Sequence, residues 1–155
     1  MAVSIRAWDS DAILALLLKE SGKWEDCVGT LQAAEAGSVK ILVSALAIAE
    51  VLMTRGHDKL PRERAQIVRA FFRRSWIVVR VVDRTIAEMA QELVWDEGID
   101  PKDAIHVATA LRNDASHLDT FDRDLMRHSG TLLGKALIVG RPDLPAQGTL
   151  NLDDD

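Results

Sequence analysis

The sequence predicts an α/β fold built on a mostly parallel sheet. Short β-branched or apolar segments alternate with amphipathic helical stretches along most of the chain. Two of those segments, Val39–Val43 and Trp76–Val82, are apolar on both faces, as central parallel strands are. A chain of 155 residues with 48% hydrophobic side chains is long enough to bury one real core.

The elements follow in order. Val3–Trp8 reads as a strand feeding a helix over Ala12–Lys19, which Gly22 ends. Trp24–Ala36 is amphipathic, with Cys27, Val28, Leu31 and Ala34 at helical spacing and Gly37 as its stop. Val39–Val43 is a short buried strand. A helix follows from Ser44, a good N-cap, to about Thr54, with Gly56 beyond it. Pro61 starts a helix reaching about Arg73, with Ile67, Val68, Phe71 and Phe72 expected inward. Trp76–Val82 is a central strand. Thr85–Glu97 is helical and ends at Gly98, and Asp100-Pro101 opens a helix through Leu111. Ser116–Leu118 and Ala136–Val139 are the last strands. Residues 1–140 are expected to form one unit. Two prolines after Gly140 and the run Asp153-Asp154-Asp155 predict a loose acidic tail over 141–155.

Four carboxylates sit where carboxylates are costly. Glu50 is the only charge between Lys40 and Arg55, in a run too apolar to be a solvated face. An ionised Glu there needs a cation, a hydrogen-bond network or a raised pKa. Asp9 separates two apolar stretches, Asp103 opens the run Asp103-Ala-Ile-His-Val-Ala-Thr-Ala-Leu111, and Asp122 lies in Thr120-Phe-Asp122-Arg. Acids so placed and far apart in sequence suggest one pocket, and clustered carboxylates suit a divalent metal. Each has a plainer explanation when taken singly. Asp9 or Ser10 can cap the following helix, Asp103 can serve its helix's first turn, and Asp122 can be a turn residue. Glu50 is the exception, because a mid-helix acid gains nothing from capping. His106, one turn beyond Asp103, reads as a core or supporting histidine rather than a ligand. Asp119 and Asp124 read as solvated loop residues, although Asp9, Asp11, Asp119 and Asp122 together can crowd one edge.

The segments Trp8-Asp9-Ser10-Asp11, Ser44-Ala-Leu-Ala-Ile-Ala-Glu50-Val-Leu, Asp103-Ala-Ile-His106-Val-Ala-Thr-Ala and Leu118-Asp-Thr120-Phe-Asp122-Arg-Asp124-Leu resemble, in that order, the PIN-domain ribonucleases, including the VapC-type toxins. The resemblance runs nearly to Val139. It implies a three-layer sandwich around a five-stranded, mostly parallel sheet ordered 3-2-1-4-5. It also implies an acidic quartet at Asp9, Glu50, Asp103 and Asp122, with hydroxyls at Ser10 and Thr120. The implied activity is RNA phosphodiester hydrolysis with Mg²⁺ or Mn²⁺, held by Asp9, Asp103 and Asp122. Glu50 would meet the metal through water or orient the attacking water. The implied partners are RNA, a protein antitoxin and a second copy of the chain. Asp11, where the family often has Asn or Ser, is a departure.

RNA binding requires cations, and Lys102, Arg123 and Arg127 are the candidates, with the arginines of the 62–74 helix as a further set. Two other readings compete. Asp9-Ser-Asp11 also resembles the nucleophile and acid/base pair of haloacid-dehalogenase-like phosphohydrolases, but that leaves Glu50 and Asp103 without roles. A non-catalytic partner-binding module is the other, and a complete quartet argues against it. The net charge of −5 does not suggest a general nucleic-acid binder. The single Cys27 excludes an internal disulfide and a cysteine-based zinc site. With no apolar run long enough to span a bilayer and no evident signal peptide, the expected location is the cytoplasm, away from membranes.

Overall fold

The computed structural model describes residues 2–53 and 58–147. A single sheet runs β3-β2-β1-β4-β6-β5. The strands are β1 (Ser4–Trp8), β2 (Val39–Ser44), β3 (Ile77–Arg80), β4 (His117–Asp119), β5 (Gly130–Leu132) and β6 (Lys135–Gly140). The first four and β6 pair in parallel, with Trp8 opposite Val43 on one side and Asp119 on the other. The expected order 3-2-1-4-5 is therefore present, with β6 as its last strand. The sixth strand, β5, pairs antiparallel with β6 through the turn at Leu133-Gly134, both at positive φ. Gly130-Thr-Leu132 carries little apolar patterning, so only its pairing partner makes it a strand.

The helices are α1 (Ser10–Leu17), α2 (Trp24–Glu35), α3 (Leu46–Glu50), α4 (Ala65–Phe72), α5 (Arg84–Glu97), α6 (Pro101–Arg112) and α7 (Arg123–Met126). Helix α5 shows its boundary chemistry plainly. Asp83 accepts the amide of Ile86, and Gly98 closes the other end in the left-handed conformation. One core cluster joins α5 and α6 to Leu42, Leu118, Leu137 and Val139. The other joins α1, α2 and α4 to Trp8, Ile41 and Val43. Full burial of a side chain such as Ile13, Leu93 or Leu111 contributes roughly 1.5–3 kcal/mol against exposure.

Four expectations are corrected. Trp76–Val82, expected as a central strand, contributes the edge strand β3 over Ile77–Arg80, with Val81 and Val82 exposed beyond it. The helix expected over Ser44–Thr54 is only five residues, α3; Ser44 stays in β2, and its hydroxyl accepts the Leu46 amide. Thr54 lies outside the described residues. The helix expected from Pro61 starts as a 3-10 turn at Arg62–Arg64, and Ile67 on α4 points outward at 54% exposure. The tail expected to be loose from residue 141 is held as far as residue 147. Arg141 pairs with Asp26, Asp143 with Arg6, and the Gln147 amide donates to the Gln32 side chain. This strap crosses α2 at Gly29, where a Cβ would stand 2.0 Å from the Leu144 carbonyl oxygen. Only glycine permits that approach. Residues 148–155 lie outside the described residues.

Candidate active site

Strand β1 lies between β2 and β4, so the chain reverses direction across the sheet at its C-terminal end. Open α/β sheets bind ligands at such a point. Asp9 follows β1 there, and its amide donates to the Asp119 carbonyl across the pair. The turn from β2 into α3 brings Glu50, the start of α6 brings Asp103, and the segment after β4 brings Thr120 and Asp122. Asp9, Ser10, Glu50, Asp103 and Asp122 line one cleft of about 820 Å³. Asp11, Lys102, His106, Asp124 and His128 line it too.

Asp9 is nearly inaccessible. Its Oδ1 accepts the Ala12 amide at 3.0 Å, capping α1, and its Oδ2 accepts the Thr120 hydroxyl at 2.5 Å. Burial pushes its pKa up, and Asp11 adds like charge. The field of His106 and the two hydrogen bonds reverse only part of this, leaving about 7. Asp103 is raised to about 6, by burial and then by Asp122. Asp11 is raised by burial and again by Asp122. The cleft therefore holds more negative charge than its own cations balance.

Glu50 differs. Its Oε1 accepts from Ser10 Oγ at 2.9 Å and lies 2.6 Å from His106 Nε2. Burial alone would raise its pKa, but the bond to His106, the imidazole's field and the Ser10 hydroxyl together lower it. His106 is opposite in sign. Burial lowers it, and the bond to Glu50 with the fields of Asp9, Glu50 and Asp103 raises it overall. The two directions agree on an ion pair.

The plainer explanations are also present. Asp9 caps α1, and Asp122 caps α7 by accepting the amides of Asp124 and Leu125. The cap on α6 falls to Asp100 instead, which frees Asp103 from that duty. Capping and cleft-lining are compatible, because a carboxylate has two oxygens.

Not every candidate reaches the cleft. Lys102 lies at its edge, whereas Arg123 and Arg127 are exposed outside its lining, and Arg127 pairs with Asp124 at 3.4 Å. Asp119, expected in solvent or crowding the acids, is buried and turned away. Arg6 holds both its oxygens, at 3.0 and 2.7 Å, and Trp8 Nε1 donates to it at 2.9 Å. Asp11 and His128 were not assigned from sequence. The i+2 spacing of Asp11 from Asp9 is a weak signal, and His128 has none.

Metal binding is tested by donor chemistry. Asp9, Asp103 and Asp122 offer hard oxygen ligands in a cleft with surplus negative charge, which suits a Mg²⁺- or Mn²⁺-like ion. As they stand, no three Asp, Glu, His or Cys side chains among the described residues are grouped closely enough to enclose one ion. An ion here would need side-chain closure or bridging waters.

The site is a cluster of acids at the switch point of an α/β sheet. The PIN domain family profile matches residues 8–130, and the chain belongs to the PIN domain family. Solved structures agree on the fold. A sarcin-ricin loop cleaving toxin, VapC20 of Mycobacterium tuberculosis, superposes with a TM-score of 0.60 at 18% identity, covering 86% of this chain and 99% of its own. VapBC2 of Rickettsia felis, bound to a promoter DNA fragment, gives 0.59 at 15% identity over 87% and 98%. A toxin-antitoxin complex from Klebsiella pneumoniae gives 0.58 at 21% identity over 86% and 95%. No curated protein matches the sequence.

Proposed function

We propose that the protein is a metal-dependent endoribonuclease and the toxin of a toxin-antitoxin pair. The observation that carries the chemistry is the meeting of Asp9, Glu50, Asp103 and Asp122 in one cleft, with Asp9 and Asp103 raised to about 7 and about 6. In this reading Asp9, Asp103 and Asp122 hold one or more Mg²⁺ or Mn²⁺ ions. Bound there, the ion offsets charge on the scissile phosphate and makes a bound water more acidic. The chain's own residues do the rest. Thr120 fixes one oxygen of Asp9, and the backbone amide of Ala12 fixes the other. Glu50, held ionised by His106 and Ser10, orients the attacking water. Lys102 at the cleft edge meets the RNA backbone, and Arg123 and Arg127 extend that contact outward.

The alternative of Asp9 as a phosphoaspartate nucleophile is weaker. Glu50 and Asp103 in the same cleft would have no task.

A protein partner is part of the proposal. An apolar groove of about 670 Å³ lies between α3, β3 and α4, lined by Ile48, Leu52, Val68, Phe72 and Val79. Lys59, Arg62, Arg69 and Arg73 also line it, so it suits an amphipathic segment with acidic flanks. An antitoxin or a second copy of the chain is the proposed occupant class. Phe71, expected inward, is core. No helix among the described residues is long and apolar enough to cross a membrane, which is compatible with the proposed cytoplasmic site of action.

The test is cleavage of single-stranded or loop RNA by purified protein with Mg²⁺ or Mn²⁺, and its loss in EDTA. Full activity in metal-free buffer would reject the mechanism. Expression in a bacterial host should slow growth, and Asp9→Asn should not. Equal harmlessness at equal protein levels would reject the toxin role while leaving the nuclease standing.

A further inference from the structure

We propose that His106 is a positioning residue that aims Glu50 at the reacting water, a role that rests on the ribonuclease reading of the cleft. Glu50 is the last residue of a five-residue helix and is followed by turn residues, so the helix itself ends at this position. Its side chain has three rotatable bonds and would sample many positions if left alone. His106 is the opposite. It sits in the second turn of the twelve-residue α6, 3% exposed, with Val107, Ala108 and Ala110 of the core around it in sequence.

The geometry joins the two groups. His106 Nε2 stands 2.6 Å from Glu50 Oε1, at or just under the short limit of charge-assisted N–H···O bonds. The Ser10 hydroxyl donates to the same oxygen at 2.9 Å, and Ser10 belongs to α1, the helix that Asp9 caps. Two donors from two separate helices thus fix Oε1. They leave Oε2 as the oxygen of Glu50 available to the cleft. A carboxylate committed this way is poorly placed to chelate an ion with both oxygens, and well placed to orient one water.

The other ring nitrogen supports the assignment. His106 Nδ1 is buried with no hydrogen-bond partner among the described residues. Among them the ring's polar contacts run through Nε2, to Glu50 at 2.6 Å and toward Ser10 Oγ at 3.5 Å.

A double-mutant cycle tests this. His106→Leu, His106→Gln, Glu50→Gln and the double variant His106→Leu/Glu50→Gln are compared with wild type for kcat and KM on RNA with Mn²⁺. Thermal melts confirm folding, and calorimetry measures Mn²⁺ binding. His106→Leu should lower kcat roughly 10–100-fold, as loss of a supporting partner does, with KM nearly unchanged. His106→Gln, which can return an N–H toward Oε1, should recover much of that loss. In the Glu50→Gln background, His106→Leu should cost almost nothing more. Mn²⁺ affinity should be unaffected by His106→Leu and weakened by Asp9→Asn. The proposal is overturned if folded His106→Leu keeps wild-type kcat, if Gln is no better than Leu, or if the two losses multiply. A wild type that cleaves no RNA with either metal overturns the nuclease reading and this role with it. An active wild type with an unimpaired His106→Leu overturns this role alone.

Discussion

Asp9 and Asp119 stand at the ends of neighbouring strands and are almost equally buried, at 4% and 1% exposure. Their surroundings are opposite. Asp119 receives two bonds from Arg6 and one from the Trp8 indole, so its charge is matched at short range. Burial would lower the Arg6 pKa, but its bonds to Asp119 and Asp143 more than reverse that, and the guanidinium stays charged. Asp9 receives a backbone amide and a hydroxyl, and no cation pairs with it through a short ion contact among the described residues. Burial raises the Asp119 pKa too, against the bonds from Arg6 and Trp8. The contrast between the two acids therefore lies in their partners, a cation for one and neutral donors for the other.

The largest effect expected from the comparison is on stability. Asp119→Ala strands Arg6 in the interior with only the exposed Asp143 as partner, and should cost about 3–5 kcal/mol. Urea unfolding measures it. A paired Arg6→Met/Asp119→Leu change should cost much less, because it removes both charges together. If Asp119→Ala unfolds no more easily than wild type, the pair is not the anchor described here.

Asp9→Asn should do the reverse, keeping the fold and lowering the initial rate of RNA cleavage by about a hundredfold or more. Added Mn²⁺ should then separate the two proteins. Wild type should gain about 2.7 kcal/mol at a hundredfold excess over the dissociation constant, and Asp9→Asn much less. A full metal-induced rise in melting temperature for the variant would make Asp9 a cap and not a ligand.

The pH dependence of the metal-free protein gives a smaller effect with a definite sign. Asp9 titrates at about 7 when folded, against an ordinary 3.8. Between those values the native state binds more protons than the unfolded chain, so stability falls as pH rises through that window. Asp9→Asn lacks this loss. Its stability relative to wild type should therefore be greater at pH 8 than at pH 5, by at least about 1 kcal/mol, since one pKa unit corresponds to about 1.4 kcal/mol. Melts at the two pH values decide it, and a constant difference would mean that Asp9 is ordinary. Asp124→Asn should do least, with a stability change within about 0.5 kcal/mol and a smaller loss of activity than Asp9→Asn.

The parts legible from sequence are those that local chemistry dictates. The alternation of strand and helix needed only hydrophobic period, and the Gly98 stop needed only a residue tolerant of positive φ. The acid-bearing segments were visible because Glu50 interrupts an apolar run, although Ile48, Leu52 and Met53 of that run are exposed in the structure. Where local rules were weak, the reading failed. Ser44 looked like a cap but remained in β2, because pairing with Arg80 holds it there. Strand β5 was missed because its three residues are strands only by virtue of β6. The strap over 141–147 was read as loose because its anchors, Arg6, Asp26 and Gln32, lie more than a hundred positions earlier.

By itself, the sequence determined the α/β class, the strand-bearing segments and the identity of the acids, since each depends on neighbours within a few positions. Only the tertiary structure decided what each acid became. Asp119 is neutral in effect because β4 lies beside β1 and Arg6 reaches it across that pair. Glu50 is aimed because α6 packs against the same strands and brings His106 within 2.6 Å. Asp9 is left with a raised pKa because burial and the nearby Asp11 outweigh the field of His106 and its two hydrogen bonds. Charge compensation acts over a few ångströms of space, and chain separation carries almost no information about which charges will share them.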